Sequence, residues 1–206
     1  MMYFIGWSLF FIFFKCYLGF KVVGRENIPK IGNFIFASNH VSYFDPILLG
    51  TSIHRSLNYM ARETLFNKPC FGWIMRKMHA FPVKRGEGDY AAIKESLRIL
   101  GSGKPLVIFP EGTRSKDRNL RHAKPGIGFL AARSGVPVIP AYIEGSFDAL
   151  PRNLKTLSRH QVKVYIGKPI KFDEKYQGKK DRAIYQKMSD EIMENIALLK
   201  EAHGAS

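Results

Sequence analysis

The chain has 206 residues, of which 46% are hydrophobic, so it is long enough to bury one sizeable core. Its formal net charge is +15, from 32 Lys and Arg against 17 Asp and Glu, which suits nucleic acid, an anionic membrane surface or phosphorylated substrates alike. The two cysteines, Cys16 and Cys70, form no disulfide framework and match no zinc spacing, which favours a reduced, cytoplasm-facing environment.

The first predicted element is an apolar helix at the amino terminus. Residues 1–14 are almost all apolar, Lys15 interrupts the run, and CYLGF continues it to Lys21. This run is shorter than the roughly 20 residues needed to span a bilayer, and it lacks the basic start and cleavage site of a signal peptide. We expect residues 1–23 to form a helix that anchors the chain to one leaflet, the alternative being a buried core helix. No second long apolar stretch follows, which excludes a polytopic protein.

Residues 24–206 are predicted to form one α/β domain. Short β-branched or aromatic runs alternate with amphipathic stretches, as expected when strands and helices take turns. Several strands are apolar throughout, which predicts a mostly parallel central sheet flanked by helices. The predicted strands are 34–37, 57–61, 80–83, 106–109, 138–143 and 162–166. The predicted helices are 46–52, 65–78 with a break allowed at Pro69, 90–100, 126–134 and 182–200.

His40 and Asp45 are the candidate catalytic residues. They follow the strand at 34–37, and the ligands of open α/β sheets gather at the carboxyl ends of strands. Pro46 disfavours a helical conformation at the residue before it, so residues 40–45 are predicted as a loop in which the two side chains can meet. A carboxylate that holds one imidazole nitrogen would leave the other basic enough to take a proton from an alcohol. The alternatives are a structural histidine and an Asp45 that serves only as a helix N-cap.

Ser42 and a metal ion are two further candidates for catalysis at this loop. Nothing around Ser42 resembles a nucleophile elbow. A metal bound by His40 and Asp45 would lack the third protein ligand that catalytic metal sites usually have. We therefore expect neither a serine nucleophile nor a metal.

Three later blocks carry cations and glycine after predicted strands or before a predicted helix. Arginine's planar fork and the backbone N–H groups at a glycine or a helix start suit a phosphate monoester. The blocks therefore predict a phosphate pocket, the alternative being a set of solvent-exposed turns. The candidate phosphate-binding residues are Lys84, Arg85, Glu111, Gly112, Thr113, Arg114 and Lys124.

Four blocks resemble, in order, the motifs of the 1-acylglycerol-3-phosphate acyltransferase family of glycerolipid acyltransferases. The blocks are Asn39-His40-x4-Asp45-Pro46, 81–85, 109–115 and 136–140, within a resemblance that covers residues 22–167. The resemblance implies that His40 is the general base and Asp45 its orienting partner. It further implies that Arg85 and Arg114 hold the acceptor phosphate while Glu111 and Gly112 shape the pocket. The residues it places on the acyl-donor side are Val136, Pro137, Val138, Ile139 and Pro140.

One position departs from the family pattern. The second motif often carries an acid before its arginine, and here that position is Lys84. An extra cation in place of an acid changes the charge that would face the acceptor. The exact headgroup of the acceptor is therefore left open by the sequence.

The resemblance implies a reaction in phospholipid biosynthesis. A fatty acyl group would pass from acyl-CoA or acyl-acyl carrier protein to the sn-2 hydroxyl of 1-acyl-sn-glycerol 3-phosphate, giving phosphatidic acid. Because the thioester is already activated, no covalent intermediate, cofactor or metal is expected. The alternatives are another lysophospholipid or glycerol 3-phosphate as acceptor, or, in a different class, a basic lipid- or nucleic-acid-binding protein.

The expected surroundings of the chain follow from the same reading. Its partners would be membrane lipids, a lysophospholipid acceptor and an acyl-CoA or acyl carrier protein donor, with no nucleic acid. We expect a monotopic protein on the cytoplasmic face of the inner or plasma membrane, held there by the apolar amino terminus and the basic surface.

Overall fold

A computed structural model of the chain describes residues 2–84, 90–150, 157–172, 176 and 181–203. The strands in this part of the chain are β1 (Lys21–Val23), β2 (Ile35–Ser38), β3 (Asn58–Arg62), β4 (Ala80–Val83), β5 (Leu106–Ile108), β6 (Val138–Glu144) and β7 (Lys163–Ile166). They form one sheet in the order β1-β7-β6-β2-β5-β3-β4. Among these described strands, every neighbouring pair is parallel except β6 and β7. The prediction of a mostly parallel central sheet is confirmed.

Helices cover both faces of this sheet. They are α1 (Met2–Leu18), α2 (Asp45–Ser52), α3 (Pro69–Lys77), α4 (Tyr90–Gly101), α5 (Gly126–Ser134), α6 (Ser146–Ala149) and α7 (Arg182–His203). Residues of α4, α5 and α7 share a buried core with one face of the sheet. Residues of α1, α2 and α6 share the core on the other face.

The alternation of side chains along β2 shows why its sequence is apolar throughout. Ile35 and Ala37 point into the core shared with α4, α5 and α7, while Phe34 and Phe36 point into the core shared with α1 and α2. All four are fully buried. Successive side chains of a strand face opposite sides, so residues 34–37 are apolar because both sides of the strand are covered.

Several predicted boundaries were wrong by a few residues. The helix predicted over 65–78 begins at Pro69, which has no N–H to lose at a first helical position, and Glu63–Leu65 forms a separate 3-10 turn. The helix predicted from Pro46 begins at Asp45. The last helix runs to His203, and β1 was missed because three residues are too few to show a periodic pattern.

The apolar amino-terminal run forms α1, which packs on α2. Phe14 and Leu18 are buried in the core next to α2, whereas Leu9 and Ile12 are 65% and 59% exposed. No helix among the described residues combines the length and the apolarity needed to cross a bilayer. The division of the chain into an anchor at 1–23 and a catalytic domain at 24–206 stays a prediction.

Candidate active site

Parallel pairing brings the loops after β2, β5 and β4 to one edge of the sheet. We continued β2, β5 and β4 past their ends, keeping the register between neighbouring strands. His40, Glu111 and Lys84 then lie at the same level. Glu111 follows the strand next to β2. Lys84 is three strand spacings of about 4.8 Å away from His40, at the far side of the same edge. Arg85 lies outside the described residues.

The side chains of His40 and Asp45 meet in the loop after β2, as the sequence predicts. His40 Nδ1 lies 2.8 Å from Asp45 Oδ2. Asp45 is fully buried, whereas 16% of the His40 side chain is exposed. Because a carboxylate can only accept, Nδ1 carries the proton of this hydrogen bond and Nε2 is the basic nitrogen. A general base needs this arrangement.

The same carboxylate oxygen also organises the loop. The backbone N–H groups of Val41 and Ser42 each donate to Asp45 Oδ2 at 2.7 Å. Phe44 holds the N-cap position of α2, so the Asp45 side chain points at the loop rather than at the end of the helix. The reading of Asp45 as a simple N-cap does not describe this geometry.

Ser42 has a structural part in this loop. Its hydroxyl donates to the carbonyl oxygen of Leu150 at 2.8 Å and accepts from the N–H of Phe44 at 3.2 Å. Ser42 is fully buried. The hydroxyl therefore ties the loop to the chain after α6.

The loop after β5 hydrogen-bonds to both backbone groups of His40, its N–H and its carbonyl oxygen. The N–H of His40 donates to Glu111 Oε1 at 3.0 Å, and the N–H of Ser115 donates to the carbonyl oxygen of His40 at 2.7 Å. The Phe109 ring stacks on the imidazole with 3.9 Å between ring centroids. These contacts fix the backbone and the ring plane of His40 together.

Burial raises the pKa of Glu111 from 4.5 to about 7, because desolvation disfavours its charged form. The hydrogen bond from His40 N–H and the charge of Arg121 act in the opposite direction. Arg121 also donates from Nε to the hydroxyl of Ser115 at 3.2 Å. Glu111 is therefore a buried carboxyl group that changes its charge close to neutral pH.

Stacking of Arg114 on Tyr43 brings the 109–115 block to the His40 loop. The guanidinium carbon of Arg114 lies 3.5 Å from the centroid of the Tyr43 ring. Tyr43 belongs to the loop between His40 and Asp45, and its side chain is 57% exposed. Stacking on an aromatic face orients a guanidinium without consuming its N–H donors. Arg114 is thus positioned beside the His40 loop.

Lys124 reaches the same block from the start of α5. Its N–H donates to the carbonyl oxygen of Pro110 at 2.9 Å, and its side chain passes over Gly112. A Cβ atom at position 112 would lie 3.0 Å from Lys124 Cδ, and Gly112 has φ of +70°, which favours glycine. Gly112 therefore permits both the turn and the path of the lysine. Thr113 stands half-buried between Gly112 and Arg114.

The structure does not bring residues 136–140 to His40. Val138 at the start of β6 pairs with Ile35 at the start of β2, about five residues or 16 Å along the strand direction from His40. Val138 and Ile139 are fully buried in the two opposite cores. This block forms the central strand beside β2, and its role on the acyl-donor side stays a prediction.

A family model described as Acyltransferase matches residues 19–144, which contain the His40 loop and the block around Arg114. The chain belongs to this acyltransferase family. A 1-acyl-sn-glycerol-3-phosphate acyltransferase of Bacillus subtilis strain 168 is 34% identical over 155 residues, which is 74% of each chain. The chloroplastic 1-acyl-sn-glycerol-3-phosphate acyltransferase BAT2 of Brassica napus is 33% identical over 153 residues.

A solved structure shares the fold of this acyltransferase. The crystal structure of the 1-acyl-sn-glycerophosphate acyltransferase PlsC from Thermotoga maritima superimposes with a TM-score of 0.78 at 27% identity, over 97% of this chain and 79% of that chain. The aligned region is 72% of this chain but only 44% of the Brassica napus relative. This acyltransferase therefore spans less than half of the length of that plant protein.

Sequence reasoning missed three residues that support the site. The Asn39 side chain accepts from the N–H of Ile143 at 2.8 Å and donates to its carbonyl oxygen at 3.0 Å. These two hydrogen bonds connect the His40 loop to β6. The Tyr43 ring stacks on the guanidinium of Arg114, and Arg121 Nε donates to the hydroxyl of Ser115. Asn39 and Tyr43 adjoin the motif residues and could have been found there. Arg121 has no sequence signal, because it lies in an aperiodic loop six residues after Ser115.

The burial of Glu111 predicts a pH-dependent cost of folding. The folded chain keeps a proton that the unfolded chain has released above pH 4.5, so stability falls as the pH rises from about 5 through the folded pKa of about 7. The loss from this group is up to about 3 kcal/mol. Urea unfolding of wild type and of Glu111→Gln at a series of pH values should show the wild-type decline and a flatter profile for the variant.

Glu95→Gln is the matched control for this titration. Glu95 is a half-buried residue of α4, where its hydrogen bond with Arg98 lowers its pKa, so it is ionised in both states across this pH range. The control should keep the wild-type slope. Equal slopes for wild type and Glu111→Gln would show that Glu111 does not cause the decline.

Proposed function

We propose that this acyltransferase moves a fatty acyl group from a thioester to the sn-2 hydroxyl of 1-acyl-sn-glycerol 3-phosphate. The observation that carries the proposal is the 2.8 Å hydrogen bond from His40 Nδ1 to Asp45 Oδ2, which makes Nε2 the atom that can accept the hydroxyl proton. The relatives in Bacillus subtilis and Brassica napus are named for this acceptor and support its choice. The product would be phosphatidic acid, a precursor in phospholipid biosynthesis.

The proposed reaction is a direct displacement at the thioester carbonyl. His40 Nε2 removes the proton of the acceptor hydroxyl as its oxygen attacks the carbonyl carbon. Collapse of the tetrahedral intermediate forms the ester and breaks the carbon–sulfur bond, and the departing sulfur takes the proton from His40. Asp45 stabilises the imidazolium while the proton resides there. The thioester supplies the activation, so neither a cofactor nor an acyl-enzyme is needed.

The acceptor phosphate is proposed to bind beside the catalytic loop. Arg114 is held against Tyr43 in that loop, and Lys124 passes over Gly112 from the other side of the same turn. A guanidinium can donate two parallel hydrogen bonds to a phosphate, and a lysine adds a point charge. Lys84 is proposed to extend the positive charge along the sheet edge, and Arg85, which lies outside the described residues, stays a predicted phosphate-binding residue.

The donor and the membrane complete the proposal. Acyl-CoA and acyl-acyl carrier protein are both acidic, and a chain of net charge +15 attracts either one. The exposed face of α1, with Leu9 and Ile12, is proposed to lie in the cytoplasmic leaflet of the inner or plasma membrane. The acceptor could then reach His40 with its acyl chain still in hydrocarbon.

His40→Ala should lower turnover at least about a thousand-fold, because a positioned general base contributes up to about four orders of magnitude. Acyl transfer is measured with purified, detergent-solubilised protein, with 1-acylglycerol 3-phosphate and glycerol 3-phosphate offered in parallel and with both thioester donors. His122→Ala, which removes an exposed histidine from the loop before α5, is the matched control and should stay active. Retention of most activity by His40→Ala would exclude His40 as the base.

Arg114→Ala should raise the acceptor KM about tenfold or more while kcat changes little, because a phosphate contact made in both the ground and transition states contributes uniformly to binding. Initial rates at varied acceptor concentration give both constants. Arg118→Ala removes a cation from the same loop, where Arg118 pairs with Asp148, and should leave the acceptor KM unchanged. An unchanged KM for Arg114→Ala would place the phosphate elsewhere.

A further inference from the structure

Helix α3 leaves two large apolar side chains open to solvent. Trp73 is 53% exposed and Ile74 is 43% exposed. The helix packs on β4 at the edge of the sheet and on the 3-10 turn Glu63–Leu65. Exposed tryptophan and isoleucine side by side on one helix form a patch that favours an apolar partner.

The charged side chains within residues 65–78 are all positive. Residues 65–78 contain no aspartate or glutamate, and their cations are Lys68, Arg76 and Lys77. Lys77 Nζ lies 5.7 Å from the centroid of the Trp73 ring. A lysine above an exposed tryptophan can place its charge at the headgroups while the ring enters the boundary of the hydrocarbon. The patch therefore matches a surface that is apolar inside and anionic outside.

Helices α1 and α3 face the same side of the molecule. An apolar cleft of about 190 Å³ is lined by Trp7 and Phe10 from α1 and by Trp73, Ile74 and Lys77 from α3. Residues 1–25 also contain no acidic side chain. The two helices therefore adjoin along this cleft, where the exposed Phe10 of α1 lies on the same side as Trp73 and Ile74 of α3.

We propose that α3 is a second membrane contact, which inserts Trp73 and Ile74 into an anionic leaflet beside α1. The inference rests on the membrane position of the proposed function and adds a contact that lies outside residues 1–23. Anionic headgroups attract the three cations of residues 65–78, and the tryptophan and isoleucine bury apolar area at the interface. A second copy of the chain fits less well, since each copy carries a net charge of +15.

The two tryptophans of the chain allow each helix to be followed separately. The chain contains Trp7 in α1 and Trp73 in α3, so Trp7→Phe leaves Trp73 as the fluorescent reporter and Trp73→Phe leaves Trp7. Each variant is mixed with vesicles of phosphatidylcholine and phosphatidylglycerol in equal parts, with and without brominated acyl chains. The proposal predicts a blue shift and quenching of Trp73 emission. Quenching of Trp7 with unchanged Trp73 emission would overturn it and assign the contact to α1 alone.

Two substitutions that introduce a negative charge test the energetic contribution of the patch. Trp73→Glu and Ile74→Glu should each lower the vesicle partition coefficient about tenfold, because burying one large apolar side chain is worth at least that factor. Leu198→Glu is the matched control: Leu198 is 55% exposed on α7, on the other face of the sheet, and its substitution should change little. An equal loss for Leu198→Glu, or no loss for the α3 variants, would overturn the proposal.

Two further readouts separate this inference from its alternatives. Acyl transfer to acceptor in detergent micelles should stay near the wild-type rate in Trp73→Glu, because α3 acts on the vesicle surface and not on the reaction. An inactive wild type would count against the proposed function while leaving the vesicle result intact. Concentration-dependent dimers in sedimentation that vanish in Trp73→Glu, without Trp73 quenching by lipid, would assign the patch to a second copy and overturn the proposal.

Discussion

Oδ2 of Asp45 accepts hydrogen bonds from the imidazole of His40 and from two backbone N–H groups within one short loop. A fully buried carboxylate is costly unless donors meet its charge, so these three N–H groups are a condition for burying Asp45 at all. The loop can satisfy them in one conformation, and that conformation sets the direction of the imidazole. The imidazole of His40 is therefore oriented when the loop folds.

The rest of the site holds this loop in place from its neighbours in the sheet. Glu111 and Ser115, in the loop after β5, hydrogen-bond to the backbone N–H and carbonyl oxygen of His40. Asn39 hydrogen-bonds to the backbone of Ile143 in β6. Both sets of hydrogen bonds require β2 to lie between β5 and β6. In the sheet, β2 pairs in parallel with both of these strands. A central strand thereby gives His40 support on two sides, and the helical layers bury both faces of that strand.

The sequence was most informative where one local rule decided the outcome. The meeting of His40 and Asp45 could be predicted because an apolar strand and Pro46 bracket a loop too short to separate them. Helix α5 was predicted with its correct ends because Pro125 precedes it and Gly135, with φ of +65°, follows it.

The sequence was least informative where the arrangement of strands decides which residues lie together. Lys84 lies far from His40 because β5 and β3 intervene in the sheet, and chain order does not reveal strand order. Residues 138–140 pair with residues 35–37 of β2 rather than with the loop that holds His40, because a motif does not tell which part of a parallel strand it occupies. Arg121 acts from an aperiodic loop, where neither period nor spacing carries a signal.

Helices α1 and α3, which are proposed to contact the membrane, lie next to the helix that begins at Asp45. Helix α2 begins at Asp45, and its residues Ile47 and Thr51 line the cleft between α1 and α3. A leaflet that contacts α1 and α3 would therefore lie close to the helix that carries Asp45. This proximity gives a lipid acceptor a short path from the leaflet to His40.

The most direct test of the central claim is a double-mutant cycle on kcat/KM for acyl transfer to 1-acylglycerol 3-phosphate, with His40→Ala, Asp45→Asn and the two combined. If Asp45 acts on the reaction through His40, each single change lowers the rate and the double variant is no slower than His40→Ala alone. Independent effects that multiply in the double variant would contradict the account, because Asp45 would then contribute without the imidazole that it holds.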